Sequence, residues 1–148
     1  MDEKQNIFDR NMRLPLLRVF YPFYERHREG LLYLFFGVLT TAVSWGSFYL
    51  FYYPLSLGEL TANALSWVAA VVFAFFTNRT FVFEARGNLL REAISFFLSR
   101  LTTLLFEEGW IFLFVTLLAY EAMWVKIAGS VFVLVLNYVF SKFIVFKK

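Results

Sequence analysis

Apolar positions dominate four stretches of this chain, separated by short breaks that hold the turn formers and most of the charges. No charged residue occurs between Glu29 and Glu59, or between Glu59 and Arg79. Within those windows Leu32–Tyr53 reads as a first helix, stopped by Pro54, and Leu60–Asn78 as a second. A third extends from about Ile94 to Tyr120 and a fourth from about Met123 to Ser141. Each is close to the ~20 residues needed to cross a ~30 Å hydrocarbon layer. The pattern predicts an all-α, polytopic membrane protein with four transmembrane helices paired as two hairpins. Residues 1–30 form a cytoplasmic or interfacial N-terminal segment, and residues 31–148 a single four-helix transmembrane domain.

The basic residues set the orientation, because cytoplasmic loops carry the excess of Lys and Arg. Lys4, Arg10, Arg13, Arg18, Arg26 and Arg28 precede the first span, and Arg79, Arg86 and Arg91 lie between the second and third. Lys142, Lys147 and Lys148 follow the fourth. The turns around Ser56–Glu59 and Tyr120–Ala122 contain neither Lys nor Arg. Both termini and the middle loop are therefore expected in the cytoplasm, in a multi-pass protein of the cytoplasmic (inner) membrane. Leu14–Gly30 mixes aromatic and basic residues and is interrupted by Pro15 and Pro22. It is expected to lie along the cytoplasmic interface on anionic lipids, or to dock a partner enzyme.

Composition agrees with a membrane protein. Of 148 residues, 60% are hydrophobic and 22% aromatic, with 21 Phe, far above the 45–50% apolar content of soluble domains. The net charge of +3 arises from residues flanking apolar runs, which favours a lipid surface and argues against nucleic acid. There is no Cys, and His27 is the only His, so no metal site, thiolate chemistry or cofactor is expected. Asp2, Glu3 and Asp9 precede a first apolar run too long for a signal h-region, so no cleaved signal peptide is expected.

The two hairpins resemble each other. FFGVLTTAVSWG (residues 35–46) matches FLSRLTTLLFEE (97–108) at a separation of 62, and NRTFVF (78–83) matches SKFIVF (141–146) at 63. This predicts repeat units of about 31–86 and 91–148 in the same orientation, a parallel repeat about an axis along the membrane normal. The matches pair Arg100 with Val38, Glu107 with Trp45, Glu108 with Gly46 and Lys126 with Asn63. Every intramembrane charge then belongs to the second hairpin.

Those charges are the candidate site. A carboxylate at the bilayer centre costs at least ~2.5–3.5 kcal/mol on insertion scales, so Glu107 and Glu108 must be buried, paired, hydrated or protonated. Arg100, Thr103 and Glu107 share a helix face. Arg100 leans toward the helix N-terminus and the cytoplasm, away from Glu107. One reading is a buried network in which two acids cancel Arg100 and Lys126. The other is a polar groove in which Arg100 holds a lipid phosphate and the carboxylates hold a hydroxylated headgroup, with Trp110 or Trp45 against a pyranose face. Asn137 reads first as a helix–helix hydrogen bond and also as a ligand group at the depth of Arg100. Asn78 and Arg79 end the second helix and anchor topology whether or not they also bind. No Ser-His-Asp set, metal cluster or phosphate-cradling Gly loop is present, so no catalysis is expected.

The basic N-terminus, the Phe35/Gly37/Thr41 entry to the first span, the NRTFVF ending and its SKFIVF repeat together resemble the GtrA-like family of small four-helix membrane proteins, over about Leu31–Lys148. The resemblance implies work in cell-surface polysaccharide synthesis. In that work a polyprenyl-phosphate-linked sugar is carried across the membrane, or the glycosyltransferase that makes or uses it is anchored. Related segments are fused to polyprenyl-phosphate mannose synthases. Ala74 departs from the pattern, where an Asn matching Asn137 would be expected. The first expectation is a translocator working as a homodimer or hetero-complex; the alternatives are a non-transporting anchor and, behind it, a small multidrug exporter. In that third class the membrane carboxylate lies in the first helix, which here is uncharged.

Overall fold

A computed structural model describes residues 21–146, without the side chains of Glu59, Leu60, Ala122, Met123 and Lys126. The described residues are all-helical, the architecture of a small polytopic membrane protein. They fall into two compact units divided after Glu84. In the first, α1 (Tyr21–Tyr52) and α2 (Glu59–Thr77) form a hairpin, and α2 ends in a π-helical turn, Asn78–Val82. In the second, α3 (Leu89–Ile111) continues into a π-helical turn, Phe112–Leu117, and α4 (Ala122–Phe140) ends in another, Ser141–Val145.

Helix α1 is already helical at Tyr21, the first described residue, ahead of the expected Leu32. Pro22 lies within it and does not end it. The break falls instead at His27, whose backbone (φ −116°, ψ 17°) leaves the helical region. Of the Leu14–Gly30 segment, residues 14–20 lie outside the described residues. Helix α3 begins at Leu89, ahead of the expected Ile94, where the Asn88 side chain caps it by accepting from Arg91 N at 3.0 Å. The Glu121 carboxylate does the same for α4, accepting from Trp124 N at 3.1 Å.

Inside the first unit, α2 lays a stripe of small residues against α1. Ala62, Ser66, Ala70, Ala74 and Asn78 recur every fourth position and all are buried. Small residues at this spacing let membrane helices approach closely, where packing replaces the hydrophobic drive. Phe36 and Phe81 stack at 5.3 Å between centroids, and Arg28 pairs with Glu84.

The second unit repeats this plan at one constant separation of 63 residues. Leu55 N and Leu57 N bond Leu50 O and Phe51 O; Leu118 N and Tyr120 N bond Leu113 O and Phe114 O. Ser56 and Ala119 carry the same left-handed backbone, φ 50° and 55°. Phe83 N and Phe146 N close the two terminal π-turns at 2.9 Å onto Asn78 O and Ser141 O. Along α1 and α3 the buried and half-buried positions also run in phase at 63, with Tyr33 and Phe96 both buried. This corrects the register of 62 drawn from the Leu-Thr-Thr match, which would set buried Thr103 against exposed Thr41. The counterpart of Arg100 is thus Gly37, that of Glu107 is Ser44 and that of Glu108 is Trp45. The charges that fall within the apolar runs, Arg100, Glu107 and Glu108, still meet uncharged counterparts in the first unit.

Among the described residues, three stretches are long and apolar enough to cross a membrane: Tyr21–Tyr52, Thr61–Val82 and Ile127–Val145. Helix α3 is not among them, because Arg91, Glu92, Arg100, Glu107 and Glu108 interrupt it. It nevertheless runs antiparallel beside α4 for most of its length. Phe96 meets Phe146 near one end and Trp110 meets Val125 near the other, about 21 Å of helix axis apart.

Candidate functional site

The seam between α3 and α4 is built from four rungs. Nearest the α3 N-terminus, Phe96 packs on Phe146 with centroids 5.9 Å apart. One turn on, the Arg100 guanidinium lies 4.8 Å from the centre of the Phe96 ring. This is the direction a helical side chain takes, back along its own helix, and it places the cation over a π face. The next rung is polar and fully packed. Thr103, 2% exposed, sets its Oγ1 2.9 Å from Asn137 Oδ1 and 3.0 Å from the Arg100 carbonyl. Its one proton is shared between an interhelical and a local acceptor. Asn137 is itself buried, yet among the described residues nothing accepts from its Nδ2.

Four residues beyond Thr103, the Glu107 Oε1 accepts from Ser130 Oγ at 3.2 Å. Glu107 is half-buried, and Glu108, turned to another face, is exposed. The last rung is aromatic. Trp110 donates through Nε1 to Val125 O at 3.1 Å, and its ring lies against the backbone of Gly129.

The structure therefore brings Thr103 together with Asn137, with the Arg100 backbone beside them, and joins Glu107 to Ser130. Among the described residues no ion pair links Arg100 to Glu107 or Glu108. The Lys126 side chain, the second cation of the expected neutral network, lies outside the described residues. Asn78 and Arg79 belong to the first unit, in the π-turn that closes α2. Asn78 is 3% exposed, and its Oδ1 has no hydrogen-bond partner among the described residues. No group of three or more acidic, His or Cys side chains among the described residues could hold a metal.

Sequence reasoning missed Ser130, Gly129 and Phe96. Ser130 stands seven residues from Asn137, on the same α4 face, so pairing Asn137 with Thr103 would have exposed it. The counterparts of the polar rungs in the first unit behave differently. Thr40, the counterpart of Thr103, bonds Phe36 O through Oγ1 at 2.8 Å, back onto its own helix, and uncharged Ser44 stands for Glu107. Ala74 stands where Asn137 would be. The same backbone thus holds a plain hairpin once and a polar seam once.

A family model for the GtrA/DPMS transmembrane domain matches residues 32–146. The chain belongs to the GtrA/DPMS transmembrane-domain family. Within that family it is similar to a cell wall teichoic acid glycosylation protein, GtcA, of Listeria monocytogenes serovar 1/2a (41% identical, covering 79% of this chain and 83% of the relative). It is also similar to a bactoprenol-linked glucose translocase of Shigella flexneri (32% identical, covering 78% and 89%). A membrane protein of Bacillus subtilis strain 168, YwcD, is 32% identical over 79% of this chain and 95% of its own length. No solved structure matches the chain. The resemblance carried by Phe35, Gly37, Thr41 and the two repeated endings is therefore a family membership, and the matched residues include both units.

Proposed function

We propose that this GtrA/DPMS-family protein moves a polyprenyl-phosphate-linked sugar across the cytoplasmic membrane, for the synthesis or modification of a cell-surface polysaccharide. It does so as a multi-pass carrier with both termini in the cytoplasm, without covalent chemistry of its own, as a homodimer or with a partner such as a glycosyltransferase. The translocase relatives support the reaction class. The observation that carries the site is the packed Thr103–Asn137 rung beside Arg100, in the hairpin that carries Glu107 and Glu108 within its apolar length. Thr103 fixes the Asn137 amide through Oδ1, which leaves the Nδ2 protons without an acceptor among the described residues. With the Arg100 guanidinium these donors suit a phosphate diester, which a planar, charge-assisted donor set recognises. The prenyl chain stays among the lipid tails while the head follows the polar rungs. Glu107, Glu108 and Lys126 line the path of the sugar, and Asn78 and Arg79 hold the corresponding end of the first unit at the cytoplasmic surface.

The test is translocation in proteoliposomes containing the purified chain and a fluorescent polyprenyl-phosphate sugar, read by loss of accessibility to an external quencher. Arg100→Ala and Asn137→Ala should each slow the initial rate at least about tenfold, the loss of one charged hydrogen bond. Unchanged rates in both variants would sink the site. The anchor reading draws on the exposed Phe23 and Arg26 ahead of the break at His27. It predicts that a glycosyltransferase co-purifies with Arg100→Ala but not with a chain truncated before Gly30.

A further inference from the structure

The face of α3 turned away from α4 carries a heptad pattern of its own. Ile94, Leu98, Leu101, Leu105, Glu108 and Phe112 follow one another at spacings of four, three, four, three and four residues, and all six are exposed. Phe96, Thr103, Glu107 and Trp110 meet α4. At about 100° per residue the six exposed positions lie on the opposite side of the helix. Such spacing makes the contact line of two helices that wrap left-handedly, the commonest crossing in membrane bundles. One position on it is charged. Glu108 stands ten residues before Leu118, where the helix closes. That is about 15 Å along the axis, half of a ~30 Å hydrocarbon layer. Among the described residues nothing pairs with the Glu108 carboxylate or donates to it.

The repeat separates this face from a surface that only meets lipid. At the 63-residue separation the first unit presents Phe35, Val38, Ala42, Trp45 and Tyr49, all exposed and uncharged. Lipid accounts for that face. It does not account for a carboxylate set among leucines at the same level, because an ionised group there is stable only when paired or hydrated. We infer that this face of α3 is the docking surface for a transmembrane helix of a second membrane protein, which presents a Lys or Arg at mid-bilayer to Glu108. Leu98, Leu101 and Leu105 supply the packing. The one charged pair sets depth and partner, as a single polar position does in a heptad seam. A second copy in the same orientation would instead set α3 against α3 and Glu108 against Glu108, two like charges at one level. Among the described side chains of α3 the nearest cation within the apolar run, Arg100, is eight residues away, about 12 Å, with its guanidinium over Phe96. The inference rests on the reading above, in which a partner completes the carrier. The docked helix closes the path on the side that Glu108 borders.

The experiment measures energy transfer in liposomes between the labelled full chain and two synthetic transmembrane peptides. Both peptides carry a leucine heptad seam; one has Lys at its central seam position and the other Leu. The Lys peptide should associate with the unaltered chain about tenfold more tightly than the Leu peptide, the worth of one charge-assisted hydrogen bond. Glu108→Gln, an exposed change that keeps the side-chain shape, should abolish that preference. Leu105→Ala should weaken both peptides to the same extent and keep the preference. No preference in the unaltered chain, or a preference that survives Glu108→Gln, would overturn the docking surface. So would energy transfer between two differently labelled chains that disappears with Glu108→Gln, which would make a second copy the occupant. The readout requires no transport. A chain that moves the lipid-linked sugar and shows no Lys preference loses this inference alone; one that shows the preference and moves no sugar loses the translocation reading and keeps the docking surface.

Discussion

Gly129→Ala isolates what the α3–α4 seam requires. A Cβ built on Gly129 would lie 2.8 Å from Trp110 Cδ1, 3.2 Å from Nε1 and 3.5 Å from Cγ. The first distance is shorter than carbon atoms tolerate, and the indole has nowhere to retreat. It is held by the 3.1 Å bond to Val125 O and packed on Phe114 at 4.4 Å between centroids. Overpacking of this kind costs about 1–3 kcal/mol. Losing an interhelical hydrogen bond in a bilayer adds ~0.6 kcal/mol. Replacing a helical Gly returns up to about 1 kcal/mol of propensity. The net expectation is a loss of roughly 0.5–2.5 kcal/mol. Reversible unfolding in mixed micelles would measure it, alone and in a cycle with Trp110→Ala, which removes the atoms in conflict. The two substitutions should couple by at least about 1 kcal/mol. A neutral or stabilising Gly129→Ala with no coupling would refute this account of the seam.

Other outcomes follow from the same contacts. Thr103→Val leaves the buried Asn137 Oδ1 without its partner and should cost about 1–3 kcal/mol, whereas Asn137→Ala should cost less than that hydrogen-bond loss implies, because the Thr103 hydroxyl still reaches the Arg100 carbonyl at 3.0 Å; unfolding in micelles orders the two. Asn88→Ala removes the α3 cap seen at 3.0 Å and should cost about 1 kcal/mol, visible as faster amide exchange in the first turn of α3. Ser56→Gly and Ala119→Gly, at the two left-handed turn positions, should each stabilise by up to about 1 kcal/mol, and to a similar degree if the hairpins are true repeats.

The apolar pattern locates the helices because a bilayer demands long uncharged runs, but it misplaces their starts for two physical reasons. A proline removes a single backbone donor, so Pro22 reads as an interruption in the sequence yet lies within helix α1, whose break falls at His27. A cap lies outside the apolar run it serves, so Asn88 and the charged first turn of α3 fall outside a span drawn from hydropathy. The repeat is visible in the sequence, and its endings already stand 63 residues apart, but the Leu-Thr-Thr match sets α1 and α3 one residue out of register. Three identical residues outweigh the rest of α1 and α3, whereas backbone bonds from Leu50 to Phe83 and from Leu113 to Phe146 admit one separation only. Charge draws attention to Arg100 and Glu107. Nothing in the sequence singles out Ser130, a common neutral residue, or Gly129, whose importance lies in the ring it admits. Asn137 is recognisable as a helix–helix hydrogen bond, but its partner Thr103 becomes evident only once the two helices are paired.

The central claim is that the polar seam of the second hairpin, not the shared hairpin scaffold, carries the lipid-linked sugar. The most direct measurement is the initial translocation rate of a polyprenyl-phosphate sugar in proteoliposomes for Arg100→Ala beside Thr40→Val. Thr40 is the first-unit counterpart of Thr103 and bonds only its own helix at 2.8 Å. The account predicts a rate at least about tenfold lower for Arg100→Ala, as expected for one lost charged contact, and a rate near that of the unaltered chain for Thr40→Val. Equal rates in both variants, or a loss confined to Thr40→Val, would contradict it.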